Sequence, residues 1–176
     1  YKAVVKNTLP GETVSARICK KKNGVIEGRL MEVVKKADYE IESKCPHFDI
    51  CGGCSYQNIP FEKENEIKEQ QLLTLLEKAG IKDFSFEGIE TSPVLEGYRN
   101  KCEFSFGDTE KGGILALGMR KRQSYYEVVD LTDCNIIDSD YLKIIKNTIK
   151  FFRDRNVTFY HKMRHEGCLR HLVIRK

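Results

Sequence analysis

"CPHFDICGGCSYQ", residues 45–57, sets three cysteines within ten positions at the spacing C-x5-C-x2-C and adds a Gly-Gly pair. Gly52 and Gly53 let the backbone bend tightly and keep side chains clear of a bulky ligand. An iron–sulfur cluster needs thiolates converging on one point, with backbone amides left to hydrogen-bond the sulfurs. Structural zinc usually pairs two short C-x2–4-C or H-x3–5-H units, each biting one tetrahedral edge. One short pair, one longer step and no second pair fit three near ligands and one far, the pattern of a cubane; spacing alone leaves zinc open. His47, two residues from Cys45, has an awkward bite and reads as a hydrogen-bonding loop residue.

The chain has seven cysteines. The odd count, and the lack of an apolar signal region in "YKAVVKNTLPGE", argue against a disulfide framework. The expectation is a cytoplasmic protein whose clustered cysteines are metal ligands or reactive thiols. Among the candidates for a fourth ligand, Cys102 alternates with polar neighbours in "NKCEFSF", which places it on an apolar strand face. Cys19 follows a strand beside three lysines, and Cys168 follows Gly167 near a strand start and stays ambiguous. Cys134 closes "VVDLTDC", where a loop leads into a helix and a side chain can leave the core. The expected ligands are therefore Cys45, Cys51, Cys54 and Cys134.

At 176 residues, 40% hydrophobic and 32% charged, the chain has the composition of an ordinary globular protein of one or two domains. No apolar run approaches the roughly 18 residues of a membrane span, so no membrane partner is expected. The net charge of +4 is unevenly spread. Lys20, Lys21, Lys22, Arg29, Lys35 and Lys36 crowd the first segment, Arg120, Lys121 and Arg122 form a second knot, and basic residues load the tail from Arg153 onward. Such segregation suits a polyanion, and a solvated lysine-rich surface has the same composition.

Residues 1–43 read as β. Val14, Ala16 and Ile18 alternate with polar neighbours, Asn23-Gly24 turns the chain, and Val25, Leu30, Val33 and Val34 are expected core positions in the run that follows. From Pro60 the chain reads as a helix with Glu62 and Glu64 in its first turn, Lys78 in its last and Gly80 as its C-terminal stop. Leu72, Leu75, Leu76 and Ala79 form its apolar face. From 84 to about 135 the chain returns to β in "FSFEGIETSP", "YRNKCEFSFGD", "GGILALGMRKR" and "SYYEVVDLTDC", with "GDTEKGG" as a hairpin loop. A second helix starts near Asp138 or Ser139 and buries Leu142, Ile145, Ile149 and Phe152. The closing "CLRHLVIRK" reads as a strand, so the expectation is a fragment of a longer protein.

The opening stretch resembles the cluster-binding motif of the iron–sulfur-containing (uracil-5-)-methyltransferases of 23S ribosomal RNA, at Cys45, Pro46, His47, Cys51, Gly52, Gly53, Cys54 and Gln57. "VVDLTDC" sets Cys134 where that family has its fourth ligand. "LPGETVSARI" resembles the family's TRAM barrel, and "GYRNKCEFSF" and "LGMRKR" resemble its central domain, so the likeness runs over essentially the whole chain. The resemblance implies an α+β fold: a small OB-like TRAM β-barrel over 1–43, cut short at its start, and a cluster loop over 44–59. A helix over 60–80 would pack on a catalytic domain absent from the chain. A central RNA-binding α+β domain with an antiparallel sheet would fill 81–176.

It further implies a [4Fe-4S] cluster, S-adenosylmethionine as cofactor of the full-length enzyme only, and ribosomal RNA as partner, bound in a single-stranded or loop region. In the family a cysteine thiolate adds to uracil C6, C5 takes the methyl group, and a base removes the C5 proton, chemistry that needs the base flipped out. The chain shows neither a glycine-rich cofactor turn nor the family's late cysteine motif, so no catalytic residue is carried over and the fragment alone is expected to be inactive. Lys20, Lys21, Lys22, Arg29, Arg99, Lys101, Arg120, Lys121 and Arg122 are the candidate phosphate contacts, with Tyr98, Tyr125 and Tyr126 as stacking partners. Four protein thiolates leave no open iron, which implies a structural cluster. The rival readings are a stand-alone iron–sulfur RNA-binding module, the tRNA-acting relative of the family, and an electron-transfer protein.

Overall fold

In the computed structural model, which describes residues 2–176, Asn23 and Gly24 take φ of 49° and 76°. This is the left-handed pair that a type I′ hairpin turn demands. They join β2 (Thr13–Lys22) to an antiparallel β3 (Val25–Lys35). β1 (Lys2–Val5) runs parallel to β3 on its other edge, giving the order β1-β3-β2. Where the resemblance implied a closed barrel, the described residues form an open three-stranded sheet. The expected inward alternation also fails. Val14 is half-buried, but Ala16 is exposed and Ile18 is 66% exposed; Val25, Leu30 and Val33 are half-buried while Val34 is open. Register shifts between Ser15 and Ala16 and between Ile18 and Lys20 explain this, because each irregularity changes the face on which later side chains emerge.

α1 (Phe61–Lys78) shares a compact unit with this sheet, made of the residues up to Glu42 and Asn58–Ser85. It ends in a Schellman motif: the Gly80 N–H donates to Glu77 O and the Ile81 N–H to Leu76 O, both at 3.0 Å, with Gly80 at φ 75°. Ile67 is buried, whereas Leu72 and Leu75 are 42% and 63% exposed. Of the apolar face expected from the sequence, Leu72, Leu75 and Ala79 are open and Leu76 is half-buried.

The second unit, Ser43–Gln57 with Phe86–Lys176, is a four-stranded antiparallel sheet in the order β6-β5-β4-β7. Its strands are β4 (Lys101–Asp108), β5 (Leu115–Arg120), β6 (Val128–Asp130) and β7 (His171–Arg175). α2 (Ser139–Arg153) packs on it, capped by the Asp138 carboxylate, which accepts from the Asp140 N–H at 2.9 Å. Phe104, Leu117, Tyr141 and Ile145 are the most buried side chains of this core. Tyr141 keeps its hydroxyl satisfied by donating to Asn100 O at 2.7 Å. Two β expectations fall away: "FSFEGIETSP" is irregular, and "SYYE" forms a loop ahead of the short β6. Gly88 at φ 104° and Pro93, which lacks a ladder donor, disfavour a strand in the first of these. No helix among the described residues is long and apolar enough to cross a membrane.

Candidate metal centre

The cysteine loop is joined to the end of β5 by one isolated antiparallel bridge. The Gly52 N–H donates to Arg120 O at 2.9 Å and the Arg122 N–H to Ile50 O at 2.7 Å, so Cys51 pairs with Lys121. A Cβ on Gly52 would stand 3.0 Å from Arg120 O, which explains a glycine there. Before this bridge, tight turns place the Cys51 N–H on His47 O at 2.7 Å and the Phe48 N–H on Cys45 O at 3.2 Å. Arg122 then grips the loop from below. Its guanidinium donates to Cys54 O at 2.8 Å, Phe48 O at 3.2 Å and Cys51 O at 3.4 Å, and lies 5.1 Å from the Phe48 ring centre.

Cys45, Cys51, Cys54 and Cys134 line one enclosed cavity, walled by apolar side chains including Phe48, Phe104 and Met119. Polar hydrogens point at its sulfurs. The Gly53 N–H lies 3.4 Å from Cys51 Sγ, and Gln57 Nε2 lies 3.7 Å from Cys54 Sγ. The backbone N–H groups of Ile136 and Ile137 favour the charged form of the Cys134 thiol. Asn135 Nδ2 in turn donates to Gln57 Oε1 at 3.0 Å, while Asn135 Oδ1 is buried without a partner. Burial pushes the Cys134 thiol up to about 11, with the nearby Cys45 and Cys54 adding to the rise; burial likewise raises Cys51. A cation beside Cys51 and Cys134 would offset the cost that burial places on their thiolates.

Two features of this cavity bear on what it could hold. No three His, Cys, Asp or Glu side chains among the described residues stand close enough together to hold a single metal ion. Tetrahedral zinc draws all its sulfurs to about 2.3 Å from one centre and a cluster also needs converging thiolates, so these positions single out neither. A cubane distributes its thiolates over separate irons and is tuned by hydrogen bonds to sulfur; the all-sulfur donor set, dry walls and aimed amides match that chemistry. The free volume is about 20 Å³, room for one water, so an inorganic core would have to part the thiols.

Sequence reasoning missed the other groups here. Cys102 does face inward on β4, but it lines the same cavity, beside Arg99. Burial pushes its thiol up, against the pull of the Arg99 guanidinium. His47, by contrast, reads from the sequence as a hydrogen-bonding loop residue, and its Nε2 does accept from the Thr132 N–H. No spacing in the sequence marks these contacts, since each joins residues far apart in the chain.

The basic candidates divide. Lys20, Lys21 and Lys22 at the end of β2, Arg29 on β3 and Lys101 on β4 are exposed. Arg99 faces the cysteine cavity, Arg120 donates to Tyr125 O at 2.6 Å, Lys121 pairs with Glu127 at 2.8 Å and Arg122 holds the loop. Tyr98, Tyr125 and Tyr126 are all exposed.

In fold, the chain resembles the solved structure of the tRNA (uracil-54, C5)-methyltransferase of Pyrococcus abyssi in complex with S-adenosyl-L-homocysteine. The TM-score is 0.72 at 19% identity, over 99% of this chain and 38% of that one. The chain thus shares its fold with about 38% of that protein's length. In sequence, the chain is 46% identical over 172 residues to a protein of Caldanaerobacter subterraneus subsp. tengcongensis, and 45% identical over 175 residues to one of Clostridium tetani. A protein of Thermotoga maritima is 29% identical over 172 residues. All three carry the name uncharacterized RNA methyltransferase, and the matches take in 98–99% of this chain. The chain spans about 38% of the length of these curated relatives. No protein-family model matches it.

Proposed function

We propose that this chain is the RNA-binding and [4Fe-4S]-binding N-terminal part of an S-adenosylmethionine-dependent (uracil-5-)-methyltransferase of ribosomal RNA, with the cluster held by Cys45, Cys51, Cys54 and Cys134. One observation carries the reading: cysteines from two distant segments line a single dry cavity whose hydrogen-bond donors point at sulfur. The relatives named RNA methyltransferases support the class of parent enzyme, and the S-adenosyl-L-homocysteine bound by the structural neighbour supports the cofactor. The substrate in that neighbour's name favours a second reading, in which the parent acts on tRNA.

When bound, the cluster supplies a tie between the cysteine loop and the segment after β6. The chain's own residues do the rest. Arg122 and Gly52 fix the loop at the end of β5, Gln57 and the Gly53 amide hydrogen-bond the sulfurs, and the walls exclude water. In this reading the regions fall at 1–43 for the TRAM-like part, 44–59 for the loop, 60–80 for the helix and 81–176 for the central domain. The open face of Leu72 and Leu75 docks on the catalytic domain of the parent. Lys20, Lys21, Lys22, Arg29 and Lys101 contact phosphates, which position RNA without reading its sequence. The fragment by itself transfers no methyl group.

The test is anaerobic purification, a visible spectrum, and assays of iron, sulfide and zinc. A broad band near ~400 nm with about four irons and four sulfides per chain is expected. It should be lost in Cys134→Ser and kept in Cys102→Ser. A colourless protein with one zinc, or loss in Cys102→Ser alone, would sink this ligand set.

A further inference from the structure

Resting on the RNA reading above, we propose that a groove on the second unit is a stacking site for unpaired bases of single-stranded RNA. It lies between the Lys121–Glu127 loop and the turn at 159–163. Tyr125 and Tyr126 form its platform, and Lys111 and Lys162 meet the flanking phosphates.

The platform is exposed and held firm. Tyr125 is 85% exposed, Tyr126 60% and Met163, across the groove, 73%. Large apolar side chains clustered in the open mark interaction sites. The loop that carries the tyrosines is cross-braced. The Lys121 N–H donates to Glu127 O at 3.0 Å, and the Ser124 N–H to Lys121 O at 3.1 Å. Ser124 Oγ accepts from the N–H groups of Tyr126 at 3.4 Å and Glu127 at 3.2 Å, and Arg120 Nη1 holds Tyr125 O at 2.6 Å. A Cβ on Gly107 would stand 2.7 Å from Val128 Cγ2 and 3.4 Å from Tyr126 O, so the bare glycine lets this segment close on β4. Rings held out by a braced loop need little further ordering on binding.

The opposite wall and the charge identify the occupant. Tyr160 lines the groove with its hydroxyl 2.8 Å from His165 Nδ1, and the Arg170 guanidinium lies 3.7 Å from its ring centre. The space between the walls is about 430 Å³. Its two acids are engaged: Asp108 accepts from the Gly112 N–H at 2.9 Å, and Glu127 pairs with Lys121 at 2.8 Å. Lys111 and Lys162 have no ion-pair partner among the described residues. Exposed aromatic rings and unpaired ammonium groups sharing one groove suit the bases and phosphates of a single strand. An acidic peptide would use the cations but has no planar groups for the two rings.

The test is fluorescence anisotropy with a fluorescein-labelled decauridylate and an abasic oligomer of the same length, on the whole chain and its variants. Tyr125→Ala/Tyr126→Ala should weaken decauridylate by about ten- to a hundredfold and leave the abasic oligomer unchanged, while Tyr125→Phe/Tyr126→Phe should keep the affinity. Lys111→Ala/Lys162→Ala should lower the salt dependence of log Kd by about 0.7 per lysine. With these exposed side chains, thermal unfolding should be the same in every variant. Decauridylate bound equally by the parent and the tyrosine-to-alanine variant would overturn the groove and leave the RNA reading standing. A parent chain that binds neither oligomer would overturn both. Displacement of decauridylate by polyglutamate with the same tyrosine dependence would reassign the groove to a protein partner and overturn the proposal.

Discussion

His47 Nε2 accepts a hydrogen bond from the backbone N–H of Thr132 at 3.3 Å and meets the Thr132 hydroxyl at 3.0 Å. The cysteine loop is thereby joined, through protein atoms alone, to the chain two residues ahead of Cys134. His47→Ala should cost about 0.5–1.5 kcal/mol, the net worth of one hydrogen bond. His47→Gln, which can still offer an acceptor, should recover part of it. Urea unfolding of both variants checks this.

Arg122 serves three carbonyls with one guanidinium, a planar fork that the single ammonium of lysine cannot reproduce. Arg122→Lys should therefore be nearly as damaging as Arg122→Ala. Each should lower stability by about 1.5–3 kcal/mol, the range for hydrogen bonds to a charged group. Hydrogen exchange of the Gly52 amide, which donates to Arg120 O, should accelerate in both.

Gly118 lies where β5 meets β6, and a Cβ there would stand 2.0 Å from Val129 O. The obstruction is backbone, so no rotamer relieves it. Gly118→Ala should cost at least the 1–3 kcal/mol typical of overpacking. A circular-dichroism melt within a degree of the parent's would refute the strand packing described here.

Asp138 is held below the ordinary carboxylate range first by its hydrogen bond from the Lys176 ammonium and then by the Asp140 N–H. A depressed folded pKa means that its contribution is complete above the unfolded value of about 3.9 and fades as pH falls through the lower folded value. Asp138→Asn keeps the N-cap acceptor but does not titrate. The parent should have the higher melting temperature at pH 6, and the gap should close as pH falls below about 4. Calorimetry across that range would show it; a gap that widens on acidification would contradict the pairing.

On α1, Ile67 is buried and Leu75 is open. Ile67→Ala should cost about 2–5 kcal/mol, and Leu75→Gln should stay within about 0.5 kcal/mol. In a longer protein carrying the catalytic domain, Leu75→Gln should become costly, and comparing the two contexts by thermal unfolding tests the docking role proposed for this face.

Much of this architecture is legible locally. Asn23-Gly24 turns a hairpin because its residue types favour left-handed backbone, Gly80 stops α1 for the same reason, and Asp138 caps α2 because a short carboxylate reaches the second amide. What misled were patterns whose meaning depends on a partner. Ile18 alternates like a core residue, yet the register shifts beside it, set by pairing with β3, leave it open. "FSFEGIETSP" has the aromatic content of a strand and finds no edge to join.

The candidate centre divides in the same way. The spacing at Cys45, Cys51 and Cys54, with its glycines, puts three thiols in one short loop, and that much is legible from sequence because neighbours in the chain are neighbours in space. Cys134 could be singled out only by its position after a strand. That it lines the cavity beside the other three, that Cys102 and Arg99 line it too, and that Arg122 serves the loop as a brace were decided by the tertiary structure. These contacts join segments far apart in the chain, and packing of β4, β5 and the loop into one unit sets their distances, which no local rule can supply.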